Sequence, residues 1–245
     1  MRFARQVVVV TGAAGGLGSA MCRRFLAEGA RVIAADVVRP TDTGGAEYLA
    51  LDVSAEEAWT EALDEVQRRY GGLDVLVNNA GIFRPNIAFE DMPLELWRRH
   101  FAVNSDGTFL GCKHGILHMK AKGGGAIVNI ASGMGIKAYP QASAYCASKA
   151  AVLMTTRTAA TAGGPYGIRV NAVLPGAVPT AMLMGNLVEH QSEEELIGAL
   201  RRLSPLGRLA SPDDIAHAVL FLADPQNMAV SGVLLPVDCA NMPGG

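Results

Sequence analysis

Paired cysteines, basic stripes and long apolar runs are all missing from this sequence. The four cysteines, Cys22, Cys112, Cys146 and Cys239, lie far apart and form no C-x-x-C pair. That argues against a disulfide framework and reads as reduced thiols in a cytoplasmic protein. Charge is scarce, at 18% of residues, with a formal net charge of −2 and a pI near 6.2. Without a basic stripe to neutralise phosphates, nucleic acid is not expected as a main partner. The apolar run Val7–Val10 ends after four residues at Thr11, short of the ~7 that a signal peptide needs. The uncharged stretch from Val170 to Val188 is broken by Asn171, Pro175, Gly176, Pro179 and Gly185, so neither run reads as a membrane element. What is abundant is apolar surface. Half of the 245 residues are hydrophobic, which excludes general disorder and suits one large soluble domain spanning residues 1–245.

Short β-branched runs alternate with helical patterns along the whole chain, as in a parallel sheet built from βαβ units. Strands are expected near 7–10, 30–35, 47–50, 73–77, 126–131, 169–173 and 233–237. Ser54 with Glu57 reads as a capping box, followed by Trp59, Ala62, Leu63, Val66 and Tyr70 on one helical face before Gly71-Gly72. Ser192 with Glu195 repeats the box, and Ser211-Pro212-Asp213-Asp214 supplies a cap, a first-turn proline and two acids. The pattern predicts an α/β fold, a Rossmann-type doubly wound sheet of seven parallel strands with helices on both faces. Such sheets bind ligands beyond the carboxyl ends of their strands.

The first such place is Thr11-Gly-Ala-Ala-Gly-Gly-Leu-Gly18, between an apolar run and a helix. Gly12, Gly16 and Gly18, with Leu17, would let backbone and helix N-terminus approach a pyrophosphate. A tight turn with no ligand would use the same glycines. Asp36, however, ends the second run 18 residues after Gly18, near the ~20-residue offset at which an acid meets the adenosine ribose. A carboxylate there repels a 2′-phosphate, and Ala14, Gly15 and Val37 offer no cation. NAD is therefore expected over NADP, with Arg39 the one nearby cation that bears against this.

Tyr145 and Lys149, at i and i+4, share a helix face just after the fifth run. A phenol titrates near ~10, and an adjacent ammonium brings it toward neutral pH for acid–base work. The bland alternative is a surface contact. Ser132, at the end of Ala126–Ala131, can meet a substrate oxygen held by Tyr145.

With these motifs the sequence resembles the short-chain dehydrogenase/reductase superfamily, in its single-domain type of roughly 250 residues. The likeness spans nearly the whole chain. It rests on T-G-x-x-x-G-x-G at Thr11–Gly18, Asp52-Val53, Asn78-Asn-Ala-Gly81, Asn104, Ser132, Tyr145-x-x-x-Lys149 and Pro175-Gly-Ala-Val-Pro-Thr180, in that order. The resemblance implies that Asn104, Ser132, Tyr145 and Lys149 form a catalytic tetrad. Tyr145 would exchange the hydroxyl proton, Lys149 would lower its pKa and hold the nicotinamide ribose, and Ser132 would polarise the substrate oxygen. Asn104 would anchor a water relay to Lys149. It further implies that Asp52 and Val53 hold the adenine and that Asn78, Asn79, Ala80 and Gly81 steady the sheet and line the cofactor. Pro175, Gly176, Val178 and Thr180 would flank the nicotinamide. The sequence departs from the family at Cys239-Ala240, where relatives usually carry a glycine pair after the Asp.

Other residues draw attention without a role in this chemistry. His114 and His118 stand at i, i+4 but lack a third ligand or an H-E-x-x-H pattern, so no metal is expected. Cys146 has no redox partner and reads as a packed thiol. Met182, Leu183, Met184 and Leu187 suit core packing and a substrate lid equally. Met134, Ile136, Tyr139, Pro140 and Phe83 would form an apolar pocket wall, with Arg84 and Lys137 the only charges nearby. The segment Gly111–Lys120 looks like the matching helix of bacterial hydroxysteroid and secondary-alcohol dehydrogenases. The expected activity is NAD-dependent interconversion of a neutral, apolar secondary alcohol, cyclic or steroid-like, and its ketone. A 3-oxoacyl carrier-protein reductase is the enzymatic alternative, although its cation for NADPH is missing. A non-catalytic dinucleotide sensor is the other alternative, and the intact tetrad counts against it. Extra apolar positions around 94–120 and 144–161, with the resemblance, imply a homotetramer.

Overall fold

The computed structural model of the protein describes residues 1–187 and 192–241; Val188, the last residue of the uncharged stretch, lies outside them. Seven strands form one sheet: β1 (Val7–Thr11), β2 (Arg31–Asp36), β3 (Glu47–Ala50), β4 (Val75–Asn78), β5 (Gly125–Ile130), β6 (Ile168–Pro175) and β7 (Leu234–Val237). Their order is β3-β2-β1-β4-β5-β6-β7 and every pairing is parallel. Each expected strand is found within two residues of its start. The order reverses between β1 and β4, so a crevice opens at their carboxyl ends.

Side-chain alternation divides the core. Val8 and Val10 of β1 pack with Met21 and Phe25 of α1 (Gly16–Ala27) and with Ile215 and Val219 of α8 (Pro212–Ala223). Val7 and Val9 face the other way, onto Trp59, Leu63 and Val66 of α2 (Glu56–Tyr70). Burial on both faces explains why β1 is written as an unbroken valine run rather than as an alternation.

Helix ends follow the sequence signals with one exception. Ser192 and Glu195 form a reciprocal capping box at α7 (Glu193–Arg202), and Ser211 and Asp214 form another at α8. The box expected at Ser54 and Glu57 is absent, because α2 begins after Ala55. Ser54 instead donates its N–H and hydroxyl to Oδ1 of Asp52, at 2.9 and 2.7 Å. The acceptor two residues back competes successfully with the helix for this serine.

The helical run expected over 94–120 is not uniform. It comprises α3 (Leu94–His100), a wide π turn at Phe101–Asp106 and α4 (Gly107–Lys122). Asn104 lies in the π turn, and the Thr108 hydroxyl donates to its carbonyl at 2.7 Å. Such turns recur at functional sites. Beyond it, α5 (Ser143–Gly163) packs against α4, and a short α6 (Ala181–Met184) follows β6. Cys239 and Ala240, in place of the usual glycines, both take left-handed backbone at φ 57° and 65°. Hydrogen bonds to the Cys239 carbonyl from the Ser204 hydroxyl, at 3.1 Å, and the Leu206 N–H, at 3.4 Å, hold this turn.

Arg169 on β6 closes the far end of α8. Its guanidinium donates to the carbonyls of Leu222, Ala223, Asp224 and Val230, at 2.7 to 3.3 Å. Arg169→Met should leave the Leu222 and Ala223 carbonyls without this donor, while Asp224 and Val230 keep those of Asn227 and Asn171, at a cost of about 3 kcal/mol. At this chain length that lowers the thermal midpoint by roughly 6–12 °C. Arg24→Ala, which removes the exposed pair with Asp213, should barely move it. Equal melting losses in a calorimeter would show that Arg169 is not the staple.

Candidate active site

Thr11 joins the carboxyl ends of β1 and β4. Its hydroxyl accepts from the N–H groups of Asn79 and Ala80, at 2.9 and 3.1 Å, and donates to the Val77 carbonyl at 3.3 Å. The Asn79 side chain returns the contact, donating to the carbonyls of Thr11 and Gly12 at 2.8 and 3.0 Å. Gly12 sits at φ +64°, and a Cβ there would lie 2.7 Å from the Ala80 Cα. A side chain at Gly12 would therefore part the two loops. Asn78 is buried and donates to Asn129 at 2.9 Å.

Beyond this junction, α1 starts with Gly15 as its N-cap, with no side-chain cap and no acid in its first turn. Its first N–H groups and positive dipole end are thus left for an anion. A Cβ on Gly16 would stand 3.2 Å from Thr180 Cγ2, which places Thr180 over this helix end. Leu17 leans on the core, and Gly18 packs so tightly that a Cβ would meet the Gly12 carbonyl oxygen. Asp36 at the end of β2 accepts from the N–H of Ala14 at 2.9 Å and of Val38 at 3.1 Å. Each carboxylate oxygen keeps a lone pair for a further donor. Arg39 is stacked on Tyr48, 4.5 Å from the ring centroid.

The remaining nucleotide-end residues divide by where their side chains go. Asp52 is exposed, with its carboxyl held below the usual range by hydrogen bonds from Ser54. Val53 turns into the core, and its carbonyl accepts from Trp59 Nε1 at 3.0 Å. Pro175 ends β6, Gly176 packs on Asp238 and Val178 is buried in the core. Thr180 is therefore the member of this last group that brings a side chain to the α1 N-terminus.

The expected tetrad residues come together at the carboxyl ends of β4 and β5. Tyr145 and Lys149 occupy successive turns of α5, with Lys149 Nζ 5.8 Å from the Tyr145 ring centroid. The Ser132 hydroxyl accepts from the Met134 N–H at 3.1 Å, and its hydrogen bond with Tyr145 favours the phenolate. A Cβ on Gly81 would lie 3.2 Å from Asn104 Oδ1 and 3.5 Å from Lys149 Nζ, so these three groups converge on one cradle. Asn104 is engaged at both amide atoms. Its Oδ1 accepts from the Ile82 N–H at 2.8 Å, and its Nδ2 donates to the Ile82 carbonyl at 3.1 Å and to Ser148 Oγ at 3.0 Å. Asn104, expected to anchor a water relay, holds the loop after β4 with its side chain.

Burial changes the expected proton chemistry. It pushes the Tyr145 phenol up to about 12, against the pull of Ser132 and with a smaller push from Cys146. It brings the Lys149 ammonium down to about 8. Lys149 donates to the Ile130 carbonyl at 2.8 Å, and desolvation is the cause of its shift. The phenol expected near neutrality is thus a protonated acid in this arrangement.

Two rings frame Tyr145. Phe83 meets it edge-on at 4.7 Å between centroids, as its place in the expected pocket wall requires, and His100 lies at 6.5 Å. His100 carried no sequence pattern. It is buried, bonds through Nδ1 to the Leu96 carbonyl at 2.9 Å, and is held below its ordinary pKa by burial and by Arg84. His114 and His118 face α2, near Glu56 and Asp64 at 3.4 and 3.7 Å. Cys146 is half-buried and its Sγ reaches the Tyr139 carbonyl at 3.9 Å.

A family model described as enoyl-(acyl carrier protein) reductase matches residues 12–239. The chain is 37% identical to a cis-4-hydroxycyclohexanecarboxylate dehydrogenase of Sinomonas cyclohexanicum, over 96% of each chain. It is 38% identical to 3beta-hydroxysteroid dehydrogenase 1 of Eggerthella lenta, covering 95% of this chain and 92% of that one. The ligand-free aldohexose dehydrogenase of Thermoplasma acidophilum superposes with a TM-score of 0.92 at 31% identity, over 100% of this chain and 97% of that one. Fold, motif order and relatives agree, and the chain belongs to the short-chain dehydrogenase/reductase family.

Proposed function

We propose that the protein is an NAD-dependent dehydrogenase that interconverts a ring-bearing apolar secondary alcohol and its ketone. The observation that carries this reading is the convergence of Ser132, Tyr145 and Lys149 beside the uncapped N-terminus of α1. The open helix end and the cradle at Gly81 fit a dinucleotide. Gly12, Gly16, Leu17 and Gly18 would take its pyrophosphate, Asp36 the adenosine ribose, and Asp52 with Val53 the adenine. Asn79, Ala80 and Gly81 would line it, Lys149 would hold the nicotinamide ribose, and Pro175, Gly176, Val178 and Thr180 would flank the nicotinamide. Bound there, NAD would take up a hydride from the carbinol carbon and, while oxidised, add a positive charge that favours the phenolate.

The chain supplies the proton path. Ser132 orients the substrate oxygen, and the Tyr145 phenolate removes the hydroxyl proton in oxidation, or the phenol returns it in reduction. Lys149 holds positive charge beside the ring. The wall for the substrate includes Phe83, Met134, Ile136, Tyr139 and Met182. Ile136 and Met182 are exposed at 61% and 46%, which suits an apolar ligand that covers them. The hydroxycyclohexanecarboxylate and hydroxysteroid dehydrogenases among the relatives support a ring-bearing alcohol. Large apolar side chains also stand out on α4 and α5, where Phe109, Leu117 and Met154 are 53%, 56% and 60% exposed. They support self-association into a homotetramer.

Asp36 should make kcat/KM with NAD far exceed that with NADP, and Asp36→Ala with a nearby Arg should reverse the order. Comparable values in the wild type would refute the assignment of Asp36. Light scattering at micromolar concentration should find a particle of four 25.6 kDa chains; a monomer would count decisively against the helix-pair interface.

Tyr145→Phe keeps the ring but removes the proton, so kcat should fall by about 10² to 10⁴-fold while NAD binding is retained. A variant that keeps most of its activity would revive the sensor reading. In the cofactor-free protein Tyr145 should resist ionisation until about pH 12. Oxidation with NAD should instead rise with pH through an apparent pKa below the ~10 of free tyrosine. The Lys149 pKa, near 8 rather than 10.5, means that the unfolded chain binds the extra proton between those values. The Lys149 contribution to stability should therefore rise with pH across that window, opposed above pH 9 by the buried Cys22 and Cys112 thiols, and below the window the buried ammonium costs roughly 3 kcal/mol. Lys149→Met should lose turnover and yet melt no lower than the wild type at pH 7.

A further inference from the structure

Two asparagines 100 residues apart fasten the loop after β4 to the segment around α6. Asn86 takes left-handed backbone, φ +67°, a conformation that asparagine tolerates better than most side chains. Its Nδ2 donates to the Asn186 carbonyl at 2.9 Å. In return, Asn186 Nδ2 donates to the Phe83 carbonyl at 3.3 Å and to the Met182 carbonyl at 2.6 Å. The Ile87 N–H ties the same loop to the Gln141 carbonyl at 3.3 Å, just before α5. Phe83 is the residue whose ring meets Tyr145 edge-on, and Met182 is the exposed apolar side chain of α6. Both walls of the substrate compartment are therefore joined through two side-chain amides.

We propose that Asn86 and Asn186 form a clasp that determines substrate size selectivity by holding Phe83 against Tyr145 and α6 beside it. The inference rests on the dehydrogenase reading above. Neither asparagine touches the reacting groups, so both are positioning residues. With the clasp closed, the walls fit a compact ring closely. With it broken, Phe83 and α6 move independently, a compact alcohol loses its fit and a fused-ring alcohol gains room.

The test compares Asn86→Gly, which keeps the positive φ at no steric cost, with Asn186→Ala and Asn186→Asp, which remove the donors with and without loss of shape. Hydrogen exchange on the cofactor-free proteins should be about tenfold faster or more at Gly185–Leu187 in each variant, with unchanged circular dichroism. The ratio of kcat/KM for cyclohexanol to that for a 3-hydroxysteroid should fall at least tenfold, chiefly through KM for cyclohexanol. The pH dependence of kcat should stay that of the wild type, because Tyr145 and Lys149 are untouched. Unchanged exchange would overturn the clasp, and faster exchange with an unchanged ratio would overturn its part in selectivity. An Asn186→Asp enzyme that behaves as wild type would show that shape, not donation, matters, and would also overturn it. If the wild type turns over neither alcohol with NAD or NADP, the dehydrogenase reading fails and selectivity falls with it, while exchange still decides whether the clasp exists.

Discussion

The splice between β1 and β4 is the constraint on which the site depends. Two neighbouring parallel strands leave the sheet in opposite directions here, and their carboxyl ends would drift apart without a tie. One threonine hydroxyl and one asparagine amide make that tie through Thr11 and Asn79. Because Gly12 and Gly18 crowd against the same junction, the glycine loop, the start of α1 and the loop after β4 are set as one unit. Asn104 carries the arrangement further by gripping Ile82 on both its N–H and its carbonyl. The cradle at Gly81 is thus held from two sides before any ligand enters.

A second theme is the cost of burying polar groups. Lys149 sits below its solution pKa and Tyr145 above it, both because burial disfavours charge. Neither shift helps the fold. In the proposed reaction the ammonium fixed beside the phenol serves when the phenol ionises, so stability is given up for preorganisation. Arg169 is the opposite case. Its charge is satisfied by four carbonyls, of which Asp224 and Val230 also accept from Asn227 and Asn171, and it strengthens the link between β6 and α8.

Much of this was legible in the sequence because hydrophobic period and glycine placement are local signals. All seven strands and the capping boxes at Ser192 and Ser211 follow from them. Tyr145 with Lys149 is read from their i, i+4 spacing, and the place of Ser132 beside them in a tetrad is implied by the family resemblance. What was not legible depends on competition or distance. Ser54 was read as a cap, but Asp52 captures it first. The π turn at Asn104 carries no residue signature of its own, so the helical pattern reads straight through it. The phenol's pKa was read from its partner's charge alone, whereas burial dominates it. Asn86 and Asn186 have no motif at all, and only the fold brings them together.

The strand order also separates two kinds of work in the sheet. β1, β2 and β3, with α1, carry the nucleotide-end residues Gly12, Asp36 and Asp52, whereas the loops after β4, β5 and β6 carry the groups that surround Tyr145. The two halves meet at the β1–β4 boundary and again where Thr180, after β6, stands over the start of α1. Substitutions in the second half that spare Asn79–Gly81 and Thr180 leave the contacts of Gly12 and Asp36 intact. On the proposed function, a lineage with this chain can therefore explore new alcohols by altering the remaining parts of three loops while keeping its nucleotide contacts.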